Sequence, residues 1–280
     1  NGWGKFQNTI GAASVYAVSY AGETSLEAGA AYDTDAQAFF DSTGITDTTQ
    51  KDAVNTLVTT LKTDNLWSNM VGLYPFVGGT ASTHKYNLKN PQDTNAAFRL
   101  TFSGGWTHSA TGATPNGTNA IADTHIVLNN VISSVNEMSY GYYSRDTSDV
   151  SSGSYEMGSY QGGAISAMLI KFGGSLYYQI NGGGYNVVSN PNTDGFFVVN
   201  RSGASAVQAY RNGSSYHTGT RSAGNLSTLN FGIGGLIGIG AYGSKESAFA
   251  FIYNGSLDES DNSNLYNAVQ AFNTSLSRQV

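Results

Sequence analysis

Residues 164–180 read AISAMLIKFGGSLYYQI, two short apolar runs parted by glycine. In the second run Leu176, Tyr178 and Ile180 alternate with Tyr177 and Gln179, and a period of two marks a strand that sends every other side chain into a core. The same texture recurs along the chain. NAAFRLTFSGGW, ADTHIVLNNV, EMSYGYYSR, SYEMGSY, GFFVVNRSG, AVQAYRNGS, STLNFGIGG and SAFAFIYNG are alternating or apolar runs bounded by Gly, Asn and Ser. Ten or so strands at hairpin spacing predict a mainly β chain built as an antiparallel two-layer sandwich.

Helical patterns flank this region. In DTTQKDAVNTLVTTLK, Val54, Leu57, Val58 and Leu61 share one face, and Asp47 with Gln50 offers a capping box. Upstream, DTDAQAFFDSTG reads as a shorter helix capped by Asp33 or Asp35 and ended by Gly44. A C-terminal amphipathic helix carries Leu265, Val269, Phe272 and Leu276 on one stripe, with Ser256 and Glu259 as its expected capping box. The acids Asp258, Glu259 and Asp261 then sit where the helix dipole favours them. The expected organisation is an anchoring or linking segment over 1–30, a helical segment packed on the sandwich over 31–72, and the sandwich domain over 73–280.

The bulk numbers narrow the chemistry. A chain of 280 residues can bury a large core without staples, and it has no cysteine for disulfides, thiolate metal sites or a thiol nucleophile. Only 11% of residues are charged, so the surface meets partners through hydroxyls, amides and rings. A net charge of −6, with 13 scattered basic residues, argues against a nucleic-acid partner, whose phosphates need clustered Lys and Arg. No apolar run approaches the roughly 20 residues of a membrane-spanning helix. The start at Asn1, with no basic-then-apolar leader, is expected of a chain whose signal peptide is absent or removed, or of a piece of a longer product.

Two strings carry a family resemblance: LWSNMVGLYPFVGGTASTHKYNLKNPQDTNAAFRLTFSGGWTHSATGATPNGTNAIADTHI, and the ending AFAFIYNGSLDESDNSNLYNAVQAFNTSLSRQV. From about Tyr32 to Val280 the chain resembles phage virion proteins that carry a concanavalin A-like (laminin G-like) sandwich. The resemblance implies a jelly-roll fold and a place on the virion surface as a tail or head fibre element. It also implies other virion proteins as partners, assembly as a homo-oligomer (a trimer for a fibre), and contact with host cell-surface glycans. The rival readings are a purely structural decoration protein and a polysaccharide depolymerase.

The candidate chemistry favours binding over turnover. A glycosidase needs two carboxylates near one scissile bond, whereas Glu137 and Glu156 stand apart in sequence and no E-x-D-x-x-E arrangement occurs. The histidines His84, His108, His125 and His217 lack metal-ligand spacing, and no G-x-S-x-G elbow marks a nucleophile. No catalytic residue, cofactor or metal is therefore expected. Trp106 and His108 in GGWTHSATG, read as a loop, and the strand residues Tyr142, Tyr143 and Tyr177 are the candidate glycan contacts, because rings stack on sugar faces.

GIGAYG, residues 238–243, fits the G-x-G-x-x-G spacing of dinucleotide sites. That fingerprint must open a helix, yet the strand-like SAFAFIYNG follows, so a turn or bulge is expected instead. The N-x-S/T triplets at Asn116, Asn212 and Asn254 read as tight turns rather than glycan acceptors.

Overall fold

The computed structural model describes residues 31–147 and 154–280; the expected anchoring or linking segment over 1–30 lies outside the described residues. Among the described residues two helices come first, α1 (Thr34–Thr43) and α2 (Thr48–Thr63). The Asp33 carboxylate caps α1 by accepting the Asp35 N–H, and Gly44, in the left-handed region at φ 70°, closes it. Asp47 accepts the Gln50 N–H at the start of α2, whose Val54, Leu57, Val58 and Leu61 are buried.

Strand β1 (Met70–Tyr74) spans the boundary expected between residues 72 and 73, and from Tyr32 onward the chain is one unit. There follow α3 (Ala81–His84), β2 (Thr101–Ser103), β3 (Trp106–Ser109), β4 (Gly112–Pro115), β5 (Ile121–Val127) and α4 (Leu128–Val131). Next come β6 (Glu137–Ser144), β7 (Met157–Gln161), β8 (Ala164–Phe172), β9 (Ser175–Gln179) and β10 (Asn186–Ser189). The remaining strands are β11 (Gly195–Ser202), β12 (Ala206–Arg211), β13 (Ser214–Thr220), β14 (Asn230–Ile233), β15 (Gly235–Ile237), β16 (Ala241–Tyr242) and β17 (Ser247–Tyr253), before α5 (Glu259–Ser275).

The strands form two sheets. One has the order β13-β12-β11-β6-β17-β4-β3, with β1 also on β17; the other runs β10-β9-β8-β7-β14-β5-β2, with β15 on β7 and β16 on β15. Pairing is antiparallel except for β15 with β7, where Leu236 lies opposite Gly158 in parallel register. The result is a jelly-roll-like β-sandwich with more and shorter strands than the sequence runs suggest.

Alternation along the central strands builds two cores. From β6, Met138, Tyr140 and Tyr142 face the second sheet, where they meet Met157, Met168, Ile170, Tyr178 and Phe231. Tyr143 points the other way with Phe196, Phe249 and Phe251, into a layer roofed by α1, α2 and α5. Each fully buried ring of this kind contributes on the order of 1.5–3 kcal/mol. The first sheet is thus covered on both faces, by its partner sheet inside and by helices outside.

The capping of α5 departs from expectation. Its N-cap is Asp258, paired reciprocally with Asp261, rather than Ser256 with Glu259. Leu257 is fully buried and its N–H is held by Asn200 Oδ1 at 3.0 Å, so the chain turns into the helix only one residue later.

Beyond α5, Arg278 is fully buried and ties the segment after that helix to β17 and to the residues that follow β1. Its guanidinium donates to Asn273 Oδ1 (2.8 Å), Phe76 O (2.8 Å), Pro75 O (2.6 Å) and Ala248 O (3.0 Å). Burial pushes its pKa down to about 9.

GIGAYG forms the β15–β16 turn and opens no helix. Gly238 has φ 111°, and a Cβ there would overlap the Tyr160 carbonyl oxygen. Asn212 and Gly213, both at positive φ (50° and 75°), make the β12–β13 hairpin turn.

Candidate functional site

The second sheet is where the sandwich faces outward without a helical roof. On β8, Met168 and Ile170 enter the inter-sheet core, so Ile165, Ala167 and Leu169 project from the opposite face. Register carries that face across neighbouring strands. Tyr160 of β7 lies opposite Ile165, Tyr177 of β9 opposite Leu169, and Val187 of β10 opposite Tyr177.

Rings from the adjoining turns extend the row. Phe172 stands 5.6 Å from Tyr177, and Tyr185 stands 6.1 Å from it on the β9–β10 connection, both edge to face. The Tyr185 hydroxyl meets that of Tyr155 at 2.8 Å. Phe172 is 38% exposed, Val187 46% and Tyr160 36%. This is an apolar, ring-bearing strip. Burial, then the bond to Tyr155, holds the Tyr185 phenol above its usual range, so it stays protonated and able to donate.

Past Tyr160 the β7–β8 turn borders an open groove of about 540 Å³ lined by Asn129, Gln161, Asn225 and Thr228 around Gly162 and Gly163. Gln161 and Thr228 fix each other, Nε2 donating to Oγ1 at 2.6 Å and the Thr228 N–H to Oε1 at 2.7 Å. Amides and hydroxyls beside rings are the groups that meet a sugar's hydroxyls and its apolar face.

The five sequence candidates fall in three places. Tyr177 lies in the strip. Tyr142 and Tyr143 are each 0% exposed and are corrected as glycan contacts. Because β6 is covered on both faces, one enters the sandwich core and the other the helix-roofed layer. Their hydroxyls are engaged too, Tyr142 donating to Lys245 O (2.6 Å) and Tyr143 to Gln270 Oε1 (2.7 Å).

Trp106 and His108 lie together on β3, so Trp106 opens an edge strand rather than a loop. The indole is half-buried, donates to Ser103 O at 3.1 Å and stacks on His108 at 23°. Folding also brings His84 to this cluster, across 24 residues that hide the pairing from the sequence. His84 Nε2 accepts the Gly79 N–H (3.1 Å), so its proton sits on Nδ1 and is donated to His108 Nδ1 at 2.9 Å. Burial, then the nearby His108 and Arg278, pushes His84 down to about 3, and burial also lowers His108. Among the described residues, no group of three or more His, Cys, Asp or Glu could hold a metal.

Among the described residues no carboxylate pair assembles at the strip. Glu156 is fully buried, with Oε2 accepting the Ile170 N–H at 2.7 Å and Oε1 lying 3.9 Å from the buried Lys245 Nζ. Burial raises its carboxyl to about 7, with Lys245 pulling the other way. The carboxylate is 1% exposed. No helix among the described residues is long and apolar enough to cross a membrane.

No protein-family model and no curated protein sequence matches the chain. Solved structures share the fold. Botulinum neurotoxin type C, whose cell entry depends on interaction with two ganglioside molecules, aligns over 74% of this chain and 53% of its own at 13% identity, TM-score 0.54. The binding domain of botulinum neurotoxin DC, solved with rat synaptotagmin II, aligns over 73% and 52% at 12% identity, TM-score 0.52. A Trypanosoma rangeli sialidase aligns over 77% of this chain and 39% of its own at 11% identity, TM-score 0.50. The chain spans about half the length of the first two. Identities this low make these likenesses of fold.

Proposed function

We propose that this chain is a glycan-binding element of a phage particle surface, of the tail or head fibre kind, acting by contact rather than turnover. The observation that carries the reading is the unroofed outer face of the second sheet, where Phe172, Tyr177, Tyr185 and Tyr160 present rings beside an amide-lined groove. The resemblance of the sequence to phage virion sandwiches supports the virion setting. Neighbours of the same fold include a toxin whose cell entry depends on interaction with two ganglioside molecules, which supports sugar binding as something this architecture accommodates. Other virion proteins and further copies of the chain are its proposed partners, and several copies would raise the effective concentration of a shallow, weak site.

A glycan array of bacterial surface polysaccharides, probed with the full chain, tests the reading. Binding is expected, and Tyr177→Ala should weaken it about tenfold, or about 1.4 kcal/mol. Its thermal unfolding should barely move, since Tyr177 lies outside both cores. Silence across the array from a folded protein would leave a structural decoration role, and release of reducing ends would make the chain a depolymerase.

A further inference from the structure

Arg201, on β11, has no exposed surface and, among the described residues, no carboxylate partner. Its donors all end on backbone carbonyls: Nε and Nη2 on Ile180 O (3.0 and 2.8 Å), and Nη1 on Gly203 O, Ala204 O and Arg221 O (3.2, 3.3 and 2.9 Å). Buried charges are ordinarily paired, because an unneutralised ion in a poorly polarisable interior is costly. A guanidinium nonetheless keeps its proton in proteins, so this cation stands uncompensated. Its last acceptor belongs to a second arginine.

Arg221 is exposed and aims at the aromatic strip, Nε and Nη2 donating to Tyr185 O at 3.1 and 2.8 Å and Nη1 to Thr220 O at 3.4 Å. Of the five N–H groups of a guanidinium, these bonds leave one on each Nη for an acceptor such as a carboxylate, to which arginine donates charge-assisted hydrogen bonds. Neither arginine makes an ion pair with any described residue. The positions on this face of the sheet are Tyr160, Ile165, Ala167, Leu169, Tyr177, Gln179 and Val187, of which Ala167, Leu169 and Gln179 are buried, and none is acidic. On a chain of net charge −6, one end of the strip is locally positive.

Resting on the reading of the strip as a glycan site, we infer that its ligand is an acidic glycan, with a sugar carboxylate taken by Arg221 while the adjoining ring lies against Tyr185 and Tyr177. Arg201 acts at a distance. Held behind the Arg221 carbonyl in a medium that screens poorly, it adds to the field that draws the anion in.

The test uses the full chain on an array of alginate, polygalacturonate and polysialic acid, each beside its methyl-esterified form, with dextran and galactan as neutral polymers. At least one free acid is expected to bind about tenfold or more tighter than its own ester. That advantage should fade as salt rises from about 0.01 M to about 1 M, where the screening length shrinks from about 30 Å to about 3 Å. Arg221→Gln should bring the acid down to the affinity of the ester, and Arg221→Lys, which keeps the charge without the guanidinium, should fall between. Binding only to neutral or esterified polymers, or equal binding to acid and ester, overturns this inference and leaves the glycan reading standing. Silence on every polymer from a folded protein overturns both.

Discussion

A His84→Gln substitution is expected to make the protein more stable at pH 5 than at pH 7, a dependence that the parent chain conceals. His84 is depressed to about 3 in the fold, against about 6.5 in an unfolded chain. As pH falls below 6.5 the unfolded state takes up a proton that the folded state refuses, so stability drops by about 1.4 kcal/mol per unit, or about 2 kcal/mol by pH 5. His108, lowered by burial, adds in the same direction. Glu156 opposes them. Its carboxyl is raised to about 7 from a usual value near 4.5, so the folded state binds the proton first as pH falls through 7. Acidification to pH 5 therefore returns about 2–3 kcal/mol.

The two effects nearly cancel in the parent, whose stability should change by no more than about 1 kcal/mol over this window. Glutamine at position 84 can still accept the Gly79 N–H and donate to His108, but it does not titrate, so the Glu156 slope emerges. Glu156→Gln should show the reverse, a loss of about 2 kcal/mol on going from pH 7 to pH 5. Urea unfolding followed by tryptophan fluorescence at pH 7, 6 and 5 measures all three proteins. A His84→Gln profile running parallel to the parent would show that His84 is not buried and neutral as described, and the reasoning would fail.

The remaining predictions concern the frame of the sandwich. Arg278→Met removes the donor that satisfies the Pro75, Phe76 and Ala248 carbonyls. Even after relief of a buried charge it should cost about 3 kcal/mol in urea unfolding. Gly238→Ala should cost about 2–3 kcal/mol, because its left-handed φ and the Tyr160 carbonyl act together. Gly174→Ala, with φ 79° but nothing within 4 Å, should cost only about 1 kcal/mol; equal losses would mean that the carbonyl contact contributes nothing.

What the sequence disclosed follows from the range of each interaction. Helix α2 was legible because Asp47, Gln50 and the Val54–Leu61 stripe are local, and the β12–β13 hairpin because Asn212 and Gly213 carry their own turn preference. GIGAYG could be refused as a cofactor loop because the residues after it are strand-forming. Tyr142 and Tyr143 were misread because period two says that neighbours face opposite ways, not whether the second face is wet. Helices at both ends of the sequence roof it. The same alternation does sort Tyr178 into the core and Tyr177 outside, where the strip lies. His84 with His108, Arg201 with Ile180 and Arg221, and the strip's Phe172 and Tyr185 arise from pairings between turns and strands that no spacing announces.

The position of β17 bears on how the chain comes to be folded at all. It lies in the interior of its sheet, between β6 on one side and β1 and β4 on the other, yet it follows all three of them in the chain. The Arg278 contacts that fasten this region reach back 202 residues to Phe76. A nascent chain carrying β1 to β16 would present the open edges of β6, β1 and β4, with their aromatic faces bare, until β17 arrives to join them. Folding of so non-local a sheet is slow, and the interval before closure is when neighbouring copies can pair by mistake. Copies of the chain thus become safe to crowd together only once β17 has closed the sheet.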